Sequence, residues 1–416
     1  MFALRANTVL KIRLRVSSCR VQAIPRSKIK LEAGNELMMW KSLFLVAFAV
    51  ANTTGSLAAE RTVEFTEQWA FETRGVTPQS VLVSELNKNV LFATLKEGGL
   101  LVLDVKRKPT QIARIGTKQL GEMHVMHLTQ KGKYLYLALG DLFGKNHHAG
   151  LAVIDVSIPR RPRIMDVWKS AAPQKGSAVI LVDDKTAYLG AMANGLMTFD
   201  ISTPDSIKYL TTYQPDVNWP RGKPNSVQHP NARGMALKGN YLFLCFDAGG
   251  LLVIDVRNPA QPREIGRYIN QTMFKKQQAY NEIVIDGNRA FVGIDYAGVE
   301  VLDIRSPAKI RQVGWWNPWQ ADRMTNIWFN SPGHTNQLHY KRDRKHLYVS
   351  AGDAELQVLD VSNAKSPKLH ATFGKPKNKR AAWGLCVSGD TVYLTYLKAA
   401  FPYNGQWSGL KAVAAP

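Results

Sequence analysis

Acidic residues are in short supply in this chain: 32 Asp and Glu stand against 54 Lys and Arg, a net charge of +22 over 416 residues. Cysteine is scarcer still, with three in all, which excludes a fold built on a disulfide framework. Cys19 lies near the N-terminus, and Cys245 and Cys386 fall in two separate apolar runs, so both are expected as small buried hydrophobes without a disulfide. The sequence marks of common catalysts are also missing. There is no Ser-His-Asp order around a nucleophile elbow, no phosphate-binding loop, no dinucleotide fingerprint, and no His-x-His or His-Glu-x-x-His pair. Hydrolase, kinase and dehydrogenase readings therefore have no support.

The apolar run from Leu43 to Ala51 is too short to span a bilayer. Lys41 precedes it and Ser56-Leu57-Ala58 offers a small-x-small cleavage site, so residues 38–58 have the parts of a secretory signal peptide. No Cys follows that site to carry a lipid. Residues 1–37 hold eight Lys and Arg against two Glu. They are read as a non-native or cleaved extension, with Met38 or Met39 as the true start; an Arg-rich targeting presequence is the alternative. Removing residues 1–58 takes away nine cations and two acids and leaves a net charge of +15 on residues 59–416. A periplasmic or secreted location follows, by bacterial export.

What is plentiful is repetition. Six segments share one template: GLLVLDVKRKP (99–109), GLAVIDVSIPRRP (150–162), GLMTFDISTP (195–204), GLLVIDVRNPAQP (250–262), GVEVLDIRSP (298–307) and ELQVLDVSNAKSP (355–367). A worn seventh copy is GLKAV (409–413). Ahead of each lies an aromatic: Phe92, Tyr136, Tyr188, Phe243, Phe291, Tyr348 and Tyr393. A turn pair such as Gly239-Asn240 or Gly287-Asn288 sits four and three residues before it, the mark of a hairpin. Each unit reads as four short strands, and a four-stranded sheet apolar on both faces needs a neighbour on each side. Closing a ring of seven supplies them. The seventh copy ends without a fourth strand, and TVEFTEQWAF (62–71) is a spare one at the other end. The expected fold is all-β, a seven-bladed β-propeller whose ring is closed by the N-terminal strand.

The phrase Leu252-Val253-Ile254-Asp255-Val256-Arg257-Asn258-Pro259, with its repeats across residues 62–416, resembles the LVIVD-repeat family of secreted bacterial β-propellers. That resemblance implies the propeller fold and says little about activity, since fold does not fix function.

Loop lengths point to a site. The spacing from aromatic to motif Asp is constant in five units. It lengthens in the second by DLFGKNHHA and in the seventh by LKAAFPYNGQWS (397–408). The connections after units three and five carry PDVNWPRGKPNSVQHPN (215–231) and WWNPWQADRMTNIWFNSPGH (315–334). In an up-and-down blade these four insertions emerge at one end of the ring, around the channel mouth, where function concentrates.

Counting nine residues back from each aromatic aligns Val83, His127, Val179, Gly234, Glu282, His339 and Gly384 on the innermost strands. His127, Glu282 and His339, with His124, His229 and His334 nearby, are candidate ligands for a transition metal (Zn, Cu or Fe). The competing reading is polar side chains lining a wet channel. Asp141, Asp247, Asp295 and Asp353 follow the second strands and face the same end, as do Trp219, Trp319, Trp328 and Arg233. These are candidates for ligand contact, against the alternative that long loops need aromatic ballast. The motif aspartates (Asp104, Asp155, Asp200, Asp255, Asp303, Asp360) recur at a turn and are read as structural.

The other end collects cations, among them Lys106, Arg107, Lys108, Arg160, Arg161 and Arg163, a rim that attracts anionic polymers or membrane surfaces. The function expected is that of an exported, non-catalytic binding or scaffold propeller working through its loop-rich face. Its partner would be a protein or a polyanionic envelope component, with nucleic acid disfavoured. The alternative is a metal-dependent enzyme with its His/Glu site at the channel mouth.

Overall fold

The computed structural model describes residues 63–141, 147–173, 176–222, 229–324, 333–399 and 403–414. The N-terminal extension and signal segment expected over residues 1–58 lie outside them, as does Trp328.

The repeat becomes seven sheets. Their first strands are Val81–Val83, His124–Lys131, Val179–Asp183, Met235–Lys238, Tyr280–Asp286, Leu338–Lys341 and Ala382–Ser388, and each begins an antiparallel meander in chain order. Among the described residues the remaining regular element is a 3-10 turn at Thr117–Leu120.

The apolar core lies between blades. Val81, Leu91 and Leu101 of blade one pack against Cys386, Tyr393 and Ala412 of blade seven, while Phe92 and Val102, on the opposite face of the same sheet, pack against Val125 and Leu137 of blade two. The marker aromatic of every blade enters the interface with the blade that follows, from Phe92 to Tyr393. That is why an aromatic recurs there. It is the largest side chain on a strand whose two faces both lose contact with water, and period-two alternation sends it toward the next blade.

Ring closure has two parts. The strand β2 (Thr66–Glu72) pairs antiparallel with Gly409–Ala414 and completes the seventh sheet. Ahead of it β1 (Val63–Glu64) pairs in parallel with the outermost strand of blade six, and Phe65 packs beside Tyr348. The leading segment thus staples blade six to blade seven, where one continuous strand on blade seven was expected. The buried Lys411 ammonium secures this join, 2.9 Å from Glu67 on β2 and 3.9 Å from Glu355 in blade six.

A second device ties blade to blade nearer the channel. Two residues beyond the aromatic of blade seven, the Thr395 hydroxyl accepts the Gly384 N–H at 2.8 Å and donates to the Gln79 carbonyl of blade one at 3.1 Å. Thr94 likewise accepts from Ser80 N–H and donates to Met126 of blade two, and Ser350 accepts from Gln337 N–H and donates to Trp383 of blade seven.

The motif aspartates behave as turn residues. Asp104, Asp155, Asp200, Asp255, Asp303 and Asp360 each accept the backbone N–H two residues on. Hydrogen bonds from the Arg257 and Arg305 side chains hold Asp255 and Asp303 down at about 2. The glycine that opens the third strand has φ between 74° and 85° in Gly99, Gly195, Gly250 and Gly298, where a fourth-strand carbonyl fills the place of a Cβ. Blade six has Glu355 there at φ 51°, and Gly374 at the end of its fourth strand makes the room. A non-glycine residue in this conformation is strained. Glu355 uses its carboxylate, accepting from Tyr396 Oη at 2.6 Å and from Asn378 Nδ2.

Candidate binding site at the loop-rich channel mouth

The residues at and just before the start of the seven inner strands line one cavity of about 450 Å³, part of it open to solvent. Blade one supplies Gln79, blade two Met126 and His127, blade three Ala178 and Val179, blade four Arg233 and Gly234. Blade five adds Asn281 and Glu282, blade six Asn336 and Gln337, blade seven Trp383. All seven blades contribute, so this is the mouth of the central channel, at the end where second strands finish.

The alignment by constant offset from the aromatic fails in two blades. In blades two to five and seven the aromatic pairs with the residue seven before it, as Tyr136 with Thr129 and Phe291 with Val284. In blade six Tyr348 pairs with His339, nine before, and in blade one Phe92 pairs with Leu82, ten before. The cause is hairpin length: blade six turns through four residues between Lys341 and His346, against two between Lys238 and Tyr241. Gln337 therefore stands where His127 and Glu282 stand, and His339 is displaced down the strand to pack on Tyr348, ring centroids 6.5 Å apart. Among the described residues no three His, Cys, Asp or Glu side chains converge in a way that would hold a metal ion. His127 instead accepts the Ile180 N–H at Nδ1, 3.4 Å away, and burial lowers its pKa to about 4. Glu282 accepts the Ile283 N–H at 2.9 Å, and burial raises its pKa to about 7.

Two of the expected histidines pair with expected aspartates. His334, buried, lies 2.8 Å through Nδ1 from Asp295 Oδ1 and stacks edge-on against Tyr403. His124 lies 3.2 Å from Asp141, which also holds Lys96 at 3.2 Å and His147 at 3.6 Å. That group sits at the rim of blade two with a lysine inside it, which opposes a metal cation. His229 is exposed, and its carbonyl accepts from Asn231.

Between blades four and six the mouth is rich in oxygen. Asp247 sits in a left-handed turn, φ 44°, that bridges to Tyr280 of the next blade. Its Oδ2 accepts from Asn231 Nδ2 at 3.1 Å, while Oδ1, 3.7 Å from the Arg233 guanidinium, has no hydrogen-bond partner among the described residues. Burial raises its pKa to about 7, with Arg233 pulling the other way. Asn281 Oδ1 and Asp353 Oδ1 are also sealed from solvent without a partner among the described residues. Arg233 reaches from blade four to lie over the Trp383 ring of blade seven, 5.8 Å from its centroid. Tyr403, from the blade-seven insertion, donates to Asn336 Oδ1 at 2.8 Å and closes that side.

The expected aromatic contacts fare differently. Trp219 packs away from the channel, against Gly250 and under the Arg267 guanidinium at 5.3 Å. Trp319 packs on Trp316 and Gly333. Both pack their own loops down against neighbouring strands. Among the described residues, Trp383, at the start of an inner strand, and Tyr403 bring aromatic rings to the mouth.

Ring closure through seven interlocked sheets makes this chain a seven-bladed β-propeller. Residues 230–270 and 345–373 match the LVIVD repeat family. No curated protein matches it. Among solved structures it is similar to that of the RRP9 WD40 repeats, with TM-score 0.64, 10% identity, and 86% of this chain and 99% of that one covered. It is also similar to a chain of a Mitotic Checkpoint Complex, with TM-score 0.60, 12% identity, and 95% and 99% covered. A third is the Cps50 (Swd1) β-propeller domain of Myceliophteria thermophila, with TM-score 0.58, 10% identity, and 85% and 100% covered. At such identities the likeness is one of fold alone, the β-propeller.

Proposed function

We propose that the protein is an exported, non-catalytic binding propeller that engages a protein partner through the channel mouth at its loop-rich end. One observation carries this: all seven blades contribute to one mouth lined by polar side chains, Gln79, Asn281, Asn336 and Gln337 among them. Amide donors and acceptors of this kind pair with a partner's polar groups at a protein interface. Arg233 and Trp383, of the residue types enriched at interface hot spots, stand beside them. A binding role also agrees with the chemistry of the two buried cysteines, whose thiols burial pushes up, away from the reactive thiolate. Export is supported by Lys41, the Leu43–Ala51 run and Ser56-Leu57-Ala58.

The test is a photo-crosslinking residue placed at Trp383, at the mouth, and separately at Tyr209, exposed on an outer strand of blade three. In the producing cell, position 383 should yield a discrete adduct with a second protein and position 209 none. Adducts from 209 alone would contradict the proposal. So would stoichiometric zinc, copper or iron in the purified protein that is lost on His127→Ala.

A further inference from the structure

The end of the ring opposite the mouth carries the first hairpins and the Asp-Val-x-x-Pro turns, and its cations are not neutralised evenly. In blades four and five the turn arginines fold back on the motif Asp: Arg257 on Asp255 at 2.5 Å and Arg305 on Asp303 at 2.6 Å. In blades one and two they do not. Lys106, Arg107, Lys108 and Arg161 are exposed and have no carboxylate within ion-pair distance among the described residues, and Arg160 touches Asp104 only at 3.7 Å. The same sector holds two of the few large apolar side chains left in solvent, Leu86 at 52% exposure and Ile158 at 61%. Leu86 is in the first hairpin of blade one and Ile158 in the Pro-containing turn of blade two.

The two turns belong to one surface. The blade-one hairpin grips its neighbour, Glu85 N–H donating to Gln130 and Gly132 N–H donating to Glu85, while Arg160 of blade two reaches Asp104 of blade one. Free cations beside protruding apolar tips on a rigid rim are what an anionic bilayer recognises: the charges meet headgroups and the tips enter the interface. A soluble polyanion would use the charge and leave Leu86 and Ile158 in water.

We propose that blades one and two dock the propeller, turn end down, on an anionic lipid surface through Lys106, Arg107, Lys108, Arg160 and Arg161 with Leu86 and Ile158 inserted. The inference is independent of what the mouth binds. It is tested by co-sedimentation of the purified protein with phosphatidylcholine vesicles, pure or with about 30% phosphatidylglycerol. Binding should need the anionic lipid and fall with salt. Replacing Lys106, Arg107 and Lys108 by Ala should weaken it on the order of 100-fold, at about fivefold per cation. The same change at Lys375, Lys377 and Lys379, exposed at the other end, should alter it less than about threefold. Leu86→Ser with Ile158→Ser should weaken vesicle binding while leaving retention on heparin unchanged. Thermal melts of each variant establish that it is folded. Equal losses from both lysine triplets, no binding to anionic vesicles, or indifference to the Leu86 and Ile158 changes would overturn the proposal.

Discussion

The two ends of this ring are built from the same repeat and have opposite characters. At the mouth, desolvation holds carboxylates above their ordinary pKa, as in Asp247 and Glu282 at about 7. At the turn end backbone and arginine donors surround them, and Asp255 and Asp303 drop to about 2. Position in the blade accounts for the difference. The Asp-Val-x-x-Pro turn directs backbone N–H groups and arginines at its aspartate, so the charged form is favoured. The turn after the second strand points its aspartate at the next blade, where solvent is excluded and hydrogen bonds run short. Repetition therefore satisfies one end and leaves the other with oxygen atoms unpaired among the described residues.

Several changes would sharpen or break that contrast. The largest effect is expected where closure and a buried charge meet. Glu355→Ala should cost about 2–3 kcal/mol in chemical denaturation, because it leaves the Tyr396 hydroxyl and the Asn378 amide without their acceptor and Lys411 with Glu67 alone in the blade six–seven interface. A similar loss is expected from Glu300→Ala in blade five, whose carboxylate accepts from Tyr268, Asn270, Tyr280 and Gln312. Next comes Thr395→Val, which removes the hydroxyl joining Gly384 to Gln79 across the ring's last gap and should cost about 1–2 kcal/mol.

Smaller, but diagnostic of the mouth, is the pH response. Asp247 and Glu282 have folded pKa values above their unfolded ones. The folded state therefore holds more protons in between, and the stability these groups allow is complete below pH about 4 and lost as pH rises through about 7. Asp247→Asn with Glu282→Gln should flatten that decline in melts between pH 5 and 8, a change of about 1–2 kcal/mol. Asp255→Asn at the turn end should act in the opposite sense, losing stability that is present above the unfolded pKa and fades below about 2–4. If Asp247→Asn and Asp255→Asn shift the profile in the same direction, the contrast fails.

The fold was legible in the sequence because its information is periodic. Seven aromatics, seven third strands and one spare strand dictate a closed ring, and the buried faces of each blade follow from alternation. Register was less legible. His339 and Gln337 are both polar, and nothing in a count from Tyr348 reveals that Arg342 to Lys345 form a four-residue turn. The run KRDRK itself, longer and more charged than Gly-Asn or Gly-Asp, was the available signal. The inter-blade polar networks were missed for a different reason. Glu300, Gln357 and Lys411 occupy the position that is Leu101, Ala152, Met197 and Leu252 in the first four blades, and a polar residue at an interior site of a repeat announces a buried partner. Trp219 and Trp319 illustrate the converse, since an aromatic in a long loop carries the same letter whether it awaits a ligand or packs the loop down.

Backbone hydrogen exchange with and without anionic vesicles separates the two ends in a single measurement. Slowed exchange is expected at residues 85–89, 106–108 and 157–161, with residues 231–233, 351–355 and 381–384 at the mouth unchanged. Protection of the mouth segments with none at the blade one and two turns would contradict the assignment of the two ends.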